Sequence, residues 1–189
     1  MSYRYGKVRF RAPKIEDAEF FQEHMNESPQ TRRELEGWVG ALLSIDSERE
    51  YLRKQITRES GERYFCIEDE QGRLIGSCSI FDHDARAQKC TIGLFIAEPE
   101  ARGKGCGGDA LELLLLFAFS ELNCRKVKLN VFSYNTRAIH LYEKKGFLRE
   151  GVLREEAYTA GQWHDEYCYA QFREAWLARV RAEQRRETL

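Results

Sequence analysis

Four glycines fall within seven residues at Arg102-Gly103-Lys104-Gly105-Cys106-Gly107-Gly108, and this cluster constrains the chain more than any other feature. Before it, Lys89–Ile96 reads as a strand. After it, Asp109–Leu122 is strongly apolar and reads as a helix. Glycines at such a junction let consecutive backbone N–H groups turn inward without Cβ clashes. With the positive end of the helix they make an anion nest suited to a pyrophosphate. Arg102 and Lys104 add positive charge. Two common phosphate loops do not fit. A Walker A loop needs Gly-Lys-Ser/Thr, and Lys104 is followed by Gly105. Gly103-x-Gly105-x-x-Gly108 satisfies the GxGxxG string, but that loop follows the first parallel strand of a βαβ unit, and the strands preceding it here form a meander.

Val8, Phe10 and Ala12 alternate with charged residues as a first strand, ended by Pro13. Ile15, Ala18, Phe21 and Met25 follow helical spacing on an acidic helix. Residues 26–50 are broken by Pro29, Gly37 and Gly40 around Leu35 and Trp38, before Asp46 or Ser47 caps a helix carrying Leu52 and Ile56. Tyr64–Glu68 and Leu74–Phe81 pair about Gln71-Gly72, and Lys89–Ile96 completes a three-strand meander. Lys126–Val131 is a further strand, Asn135–Lys145 a short helix stopped by Gly146, and Phe147–Thr159 with Gln162–Phe172 a last hairpin around Ala160-Gly161. Residues 1–172 form one domain and 173–189 a charged helical tail that frays. Antiparallel strands followed by a β-α-β unit imply an α/β fold with a mixed central sheet and helices on both faces.

The 189 residues suit one domain, and no apolar run approaches the ~20 residues of a membrane span. The longest, Leu113–Phe119, fits a buried helix, and the polar N-terminus has no signal-peptide core. Six cysteines without a CxxC pair or zinc spacing read as reduced thiols of a cytoplasmic protein with no metal. The net charge of −1 argues against nucleic-acid binding. Residues 15–50 carry ten acids and three bases, and residues 102–149 nine bases and four acids. These regions face a cationic and an anionic ligand, or are unrelated solvated helix faces.

The loop, with two further motifs, resembles the GNAT superfamily of N-acetyltransferases. Arg102-x-x-Gly105-x-Gly107 is similar to the family's cofactor loop. Ile92–Pro99 looks like its fourth strand, and Asn135-Thr136-Arg137-Ala138-Ile139-His140-Leu141-Tyr142-Glu143-Lys144-Lys145-Gly146-Phe147 like its Asn…Tyr-x-x-x-Gly-Phe motif. The resemblance implies a fold whose fourth and fifth strands splay apart, with acetyl-CoA as co-substrate. Backbone groups of Phe95, Ile96 and Ala97 would hold pantetheine. Those of Arg102, Gly103, Lys104, Gly105, Cys106, Gly107 and Gly108 would hold the pyrophosphate, with Asn135 and Arg137 completing the cofactor site. Tyr142 would protonate the departing thiolate, its ordinary pKa of ~10 keeping it protonated at neutral pH. Cys106, inside the phosphate loop, is badly placed for a covalent acetyl carrier.

Thr91 stands where some relatives have a glutamate, so no base is assigned; Glu68, Glu98 and water are the alternatives. For the amine acceptor the resemblance divides. Leu35-Glu36-Gly37-Trp38 looks like ribosomal-protein N-terminal acetyltransferases, while Asn135–Tyr142 and the last hairpin are similar to spermidine N-acetyltransferases. The leading expectation is a protein or peptide N-terminal amine, with a polyamine or other small amine as the alternative, and a non-catalytic CoA-binding regulatory domain as a further one. Glu36, Trp38, Tyr158 and Trp163 are candidate acceptor-wall residues, and a homodimer is expected from the family.

Overall fold

The structure is a computed structural model and describes residues 3–187. Eight strands form one sheet in the order β1-β2-β3-β4-β5-β6-β8-β7. β1 (Arg4–Tyr5) and β2 (Val8–Arg11) make an N-terminal hairpin. β3 (Arg63–Glu68), β4 (Leu74–Asp84) and β5 (Lys89–Ile96) form the meander read from the sequence. β6 (Lys126–Phe132) runs parallel to β5, and the hairpin of β7 (Leu148–Thr159) and β8 (Gln162–Phe172) adds antiparallel to β6 through β8. Because β1 precedes the first strand expected, the family's fourth and fifth strands are β5 and β6 here.

These two strands carry the main consequence of the fold. They pair only at Lys89–Lys126, Cys90–Val127 and Thr91–Lys128. Beyond Thr91 their facing backbone groups separate, while β4 still pairs with the other edge of β5 as far as Ile96. The splay inferred from the family is present.

One sheet face packs on α4 (Cys106–Leu116), whose Leu111, Leu113, Leu114 and Leu115 have no exposed surface. A helix buried on nearly every side must be apolar all round, and its leucines meet Ile80, Ile92, Val127 and Leu129 in the main core. A π-helical turn, Phe117–Glu121, extends α4 before β6. The other face packs on α1 (Asp17–Glu27) and α3 (Ile45–Thr57) through Ala18, Phe21, Leu52 and Cys66. An ion-pair cluster of Arg11 with Asp17 (2.7 Å) and Glu68 (2.6 Å) ties α1 to β2 and β3.

The segment that resisted parsing holds α2 (Pro29–Glu36). Its supposed breakers are its ends: Ser28 caps the start, Pro29 fills the first position, and Gly37 closes it at φ 79. Gly37 is required twice, since an added Cβ would lie 2.6 Å from the Phe132 ring. The α3 cap is Ser44, whose hydroxyl accepts from the Ser47 N–H, two or three residues before the expected cap.

The helical tail, α6 (Arg173–Glu187), begins well anchored, contrary to the fraying expected of it. Trp176 is buried and donates its indole N–H to Glu112 Oε2 at 3.0 Å. Glu112, a buried acid on α4, also meets Arg179 at 2.7 Å and Lys145 at 3.1 Å. A buried carboxylate needs such partners, and here they join α4, α6 and the residue after α5 (Thr136–Lys144).

Candidate active site

A cavity of about 750 Å³ runs through the splay. Residues directly opposite in antiparallel strands share a face, so Phe81 and Thr91 lie on one side of the sheet, as do Phe132 and Glu166. That is the side of α1 to α3, because Cys66, Ser77 and Phe95 are successive partners on it. The cavity is lined there by Thr31, Glu34, Leu35, Phe81, Asp82, Thr91, Lys128, Asn130, Phe132 and Glu166. At its other end it meets Arg102, Gly103, Gly105, Gly107 and Gly108 of the glycine cluster, and Asn135, Arg137, Ala138, His140, Leu141, Tyr142 and Lys144 of the α5 region.

The glycine cluster is only partly loop. Gly103 and Gly105 have φ 75 and 94, and an added Cβ at either meets nothing within 4 Å. From Cys106 the chain is already helical, three residues earlier than expected. First-turn N–H groups have no intrahelical acceptor, so those of Cys106, Gly107 and Gly108 are open to an anion, with the helix dipole behind them. Arg102 differs from its expected role: its N–H donates to Pro99 O at 3.1 Å. Its guanidinium binds the carbonyls of Ile96 and Ala97, both at 2.9 Å. Arg102 therefore shapes the loop by closing the end of β5. Lys104 does not line the cavity; its carbonyl accepts from Lys7 Nζ at 2.9 Å.

Phe95 and Ile96 line the splay, but Ala97 does not. Ala97 is fully buried and its N–H donates to Ile75 O at 2.9 Å, leaving no donor for a ligand. Asn135 caps α5 by accepting from the Ala138 N–H at 3.2 Å, and its Nδ2 has no hydrogen bond among the described residues. Arg137 pairs with Glu34 at 3.2 Å, so α5 and α2 meet across the cavity.

Tyr142 lines the cavity at 8% exposure, with its ring against Phe147. Among the described residues nothing hydrogen-bonds its hydroxyl, and burial pushes that hydroxyl up to about 12. His140, two residues earlier, also lines the cavity although its spacing from Tyr142 had placed it on another helix face. Cys106 is buried, and burial pushes its thiol up, away from the thiolate a nucleophile needs. Among the described residues no group of three or more His, Cys, Asp or Glu side chains is placed to hold a metal ion, and no helix is long and apolar enough to cross a membrane.

The expected acceptor-wall residues lie elsewhere. Glu36 is held by Arg32 at 2.8 Å, and Arg32 also lies over the exposed Trp38 ring. Tyr158 and Trp163 contact each other with tilted rings near the exposed hairpin tip. None of the four lines the cavity. Glu34, the acid beside Glu36 in the acidic region, does line it, as do Asp82 and Glu166, which sequence reading missed. The acidity of residues 15–50 was a signal for Glu34; register alone brings the other two in. Of the alternatives for a base, Glu68 is locked among arginines and Glu98 caps a 3₁₀ turn, and neither lines the cavity.

A split parallel strand pair, an anion nest at one mouth and carboxylates at the other define an acyltransferase that takes its acyl group from a coenzyme A thioester. Residues 7–148 match the acetyltransferase (GNAT) domain family. The chain belongs to that family and is an acetyl-CoA-dependent N-acetyltransferase. It is similar to the uncharacterized SPbeta prophage-derived N-acetyltransferase YokL of Bacillus subtilis (strain 168), with 34% identity over 132 residues, 69% of this chain and 72% of that one. Spermidine N(1)-acetyltransferase of Vibrio cholerae is 35% identical over 122 residues, 65% of this chain and 69% of that one. A solved structure of spermidine N-acetyltransferase from Vibrio cholerae, in complex with CoA and spermine, superposes with a TM-score of 0.80 and 28% identity, covering 90% of this chain and 98% of that one.

Proposed function

We propose that the acceptor is a small polycationic amine of the polyamine class, acetylated where the cavity crosses the sheet. The observation that carries this reading is the position of Asp82 and Glu166 around the cavity on the sheet face away from the glycine cluster, with Glu34 between them and Arg137 of α5. Carboxylates in a cleft raise the local concentration of a cation. The leading expectation from sequence, a peptide N-terminus, leaned on Leu35-Glu36-Gly37-Trp38, of which Leu35 lines the cavity and Glu36 and Trp38 lie outside it. The likeness to spermidine N-acetyltransferase of Vibrio cholerae, in sequence and in structure, adds support.

The residues fit acetyl-CoA. The open space over Gly103 and Gly105 and the unpaired first-turn N–H groups suit its pyrophosphate. The unpaired edge of β5 suits the amides of pantetheine, as an added strand would. When bound, acetyl-CoA supplies a thioester with an electrophilic carbonyl and a sulfur leaving group. Tyr142 holds a proton on Oη and delivers it to sulfur as negative charge builds there. The unpaired N–H groups of β5 past Thr91 polarise the carbonyl. The carboxylates orient the ammonium and its second charge. A homodimer belongs to the same reading: β7 is an edge strand carrying the exposed Leu148, Val152 and Leu153, the kind of edge that another chain covers.

The test is thiol release from acetyl-CoA with spermidine, spermine and short peptides bearing free N-terminal amines. Polyamines are expected to give kcat/KM at least ~10-fold above the peptides, about 1.4 kcal/mol of discrimination. Preference for a peptide would contradict the polyamine reading and leave the acetyltransferase assignment standing.

A further inference from the structure

We propose that Asp82 takes the proton from the attacking amine, the role that no residue fills from sequence. This rests on acetyl transfer to an amine at this cavity and not on which amine it is.

The chemistry demands a proton acceptor. At neutral pH the acceptor arrives as an ammonium with no free lone pair. Over the reaction the C–N bond forms, the C–S bond breaks, and nitrogen loses two protons. One balances the proton that ends on sulfur; the other must leave before attack. Asp82 takes that first proton and passes it to water.

The geometry selects Asp82 from the three carboxylates. Phe81 pairs with Thr91 and Asp84 with Lys89, so three steps on β4 match two on β5. This is a bulge, a device that re-aims a side chain. Asp82 sits in it at φ 49 and lines the cavity together with its neighbour Phe81, which strict alternation would forbid. Its Oδ2 lies 3.4 Å from Thr91 Oγ1. Thr91 forms the last paired rung of β5 with β6, so Asp82 stands beside the apex of the splay. Glu34 is engaged by Arg137 and by Gln30, and Glu166 by Asn130 Nδ2 at 3.1 Å on the far side of β6. Among the described residues Asp82 has no ion pair, and it is exposed, which opens a route to bulk water. The charged or titratable neighbours are Glu62 before β3, Lys128 opposite Thr91 on β6, and His83 beside it in the chain.

The test uses the full chain and whichever of spermidine, spermine or the peptides it turns over fastest, so failure of the polyamine reading does not decide this one. Asn tolerates left-handed backbone, so Asp82→Asn is expected to melt with wild type. Its kcat/KM for the amine is expected to fall ~10²-fold, the scale of a lost general base, with the KM for acetyl-CoA unchanged. The remaining rate is expected to rise with pH up to the amine's own pKa, because only free amine then reacts. Adding Thr91→Glu to Asp82→Asn puts a carboxylate one strand away and is expected to recover at least ~10-fold of the loss. Asp82→Asn within a few-fold of wild type would overturn the proposal. So would a loss with an unchanged pH profile and no recovery in the double variant.

Discussion

Tyr142 combines two properties that rarely coincide: it is 8% exposed, and its hydroxyl has no hydrogen-bond partner among the described residues. A purely structural tyrosine at that depth would normally donate a hydrogen bond. Tyr142→Phe is therefore expected to keep its melting temperature at neutral pH while kcat falls ~10²–10⁴-fold. The pH dependence has a definite sign. The hydroxyl ionises near ~10 in an unfolded chain and is pushed up to about 12 here, so its contribution to stability is lost as pH rises from 10 towards 12. Tyr142→Phe should flatten that part of an alkaline melting series. Gly105→Glu, at φ 94, places a strained and negative side chain in the nest. Calorimetry should then find no CoA binding in a folded variant; unchanged affinity would move the pyrophosphate elsewhere.

At the scale of elements, much of the fold was legible because its signals are local. Alternation of Val8 and Phe10 with charged residues marked β2, strand-forming runs on either side of Gln71-Gly72 marked β3 and β4, and four adjacent leucines marked α4. What escaped depends on partners distant in sequence. β1 has two residues and exists through its pairing with β2. The ends of α2 read as breakers because capping residues and loop residues are the same types. Trp176 looked like part of a frayed tail because its partner Glu112 is 64 residues away. Trp176→Ala removes a buried ring and leaves a buried acid short of a donor, and it should cost about 3 kcal/mol in chemical denaturation. Helix α3 carries a buried acid, Glu48, which burial and then Glu36 push up to about 7. Between the unfolded value of ~4.3 and 7, the unfolded chain ionises first, so stability falls as pH rises. Glu48→Gln is expected to raise the melting temperature at pH 8 and leave it nearly unchanged at pH 4.

At the scale of the whole molecule, the acidic and basic regions of the sequence meet at one cavity, where Glu34 pairs with Arg137. Glu34 comes from the acidic region; the glycine cluster and α5 come from the basic one. The cofactor end was legible because a nest and a helix cap leave motifs. The acceptor end was not, because Asp82 and Glu166 reach it through a bulge and a strand register. The exposed apolar residues of β7 predict self-association, and sedimentation showing a single chain at micromolar concentration would contradict it. The central claim is that acetyl transfer occurs where the cavity crosses between β5 and β6. A crystal structure with CoA tests it most directly. The pyrophosphate is expected against the N–H groups of Cys106–Gly108 and the pantetheine along β5, with the sulfur within ~3.5 Å of Tyr142 Oη. CoA seated outside the splay, or a sulfur beyond the reach of Tyr142, would contradict it.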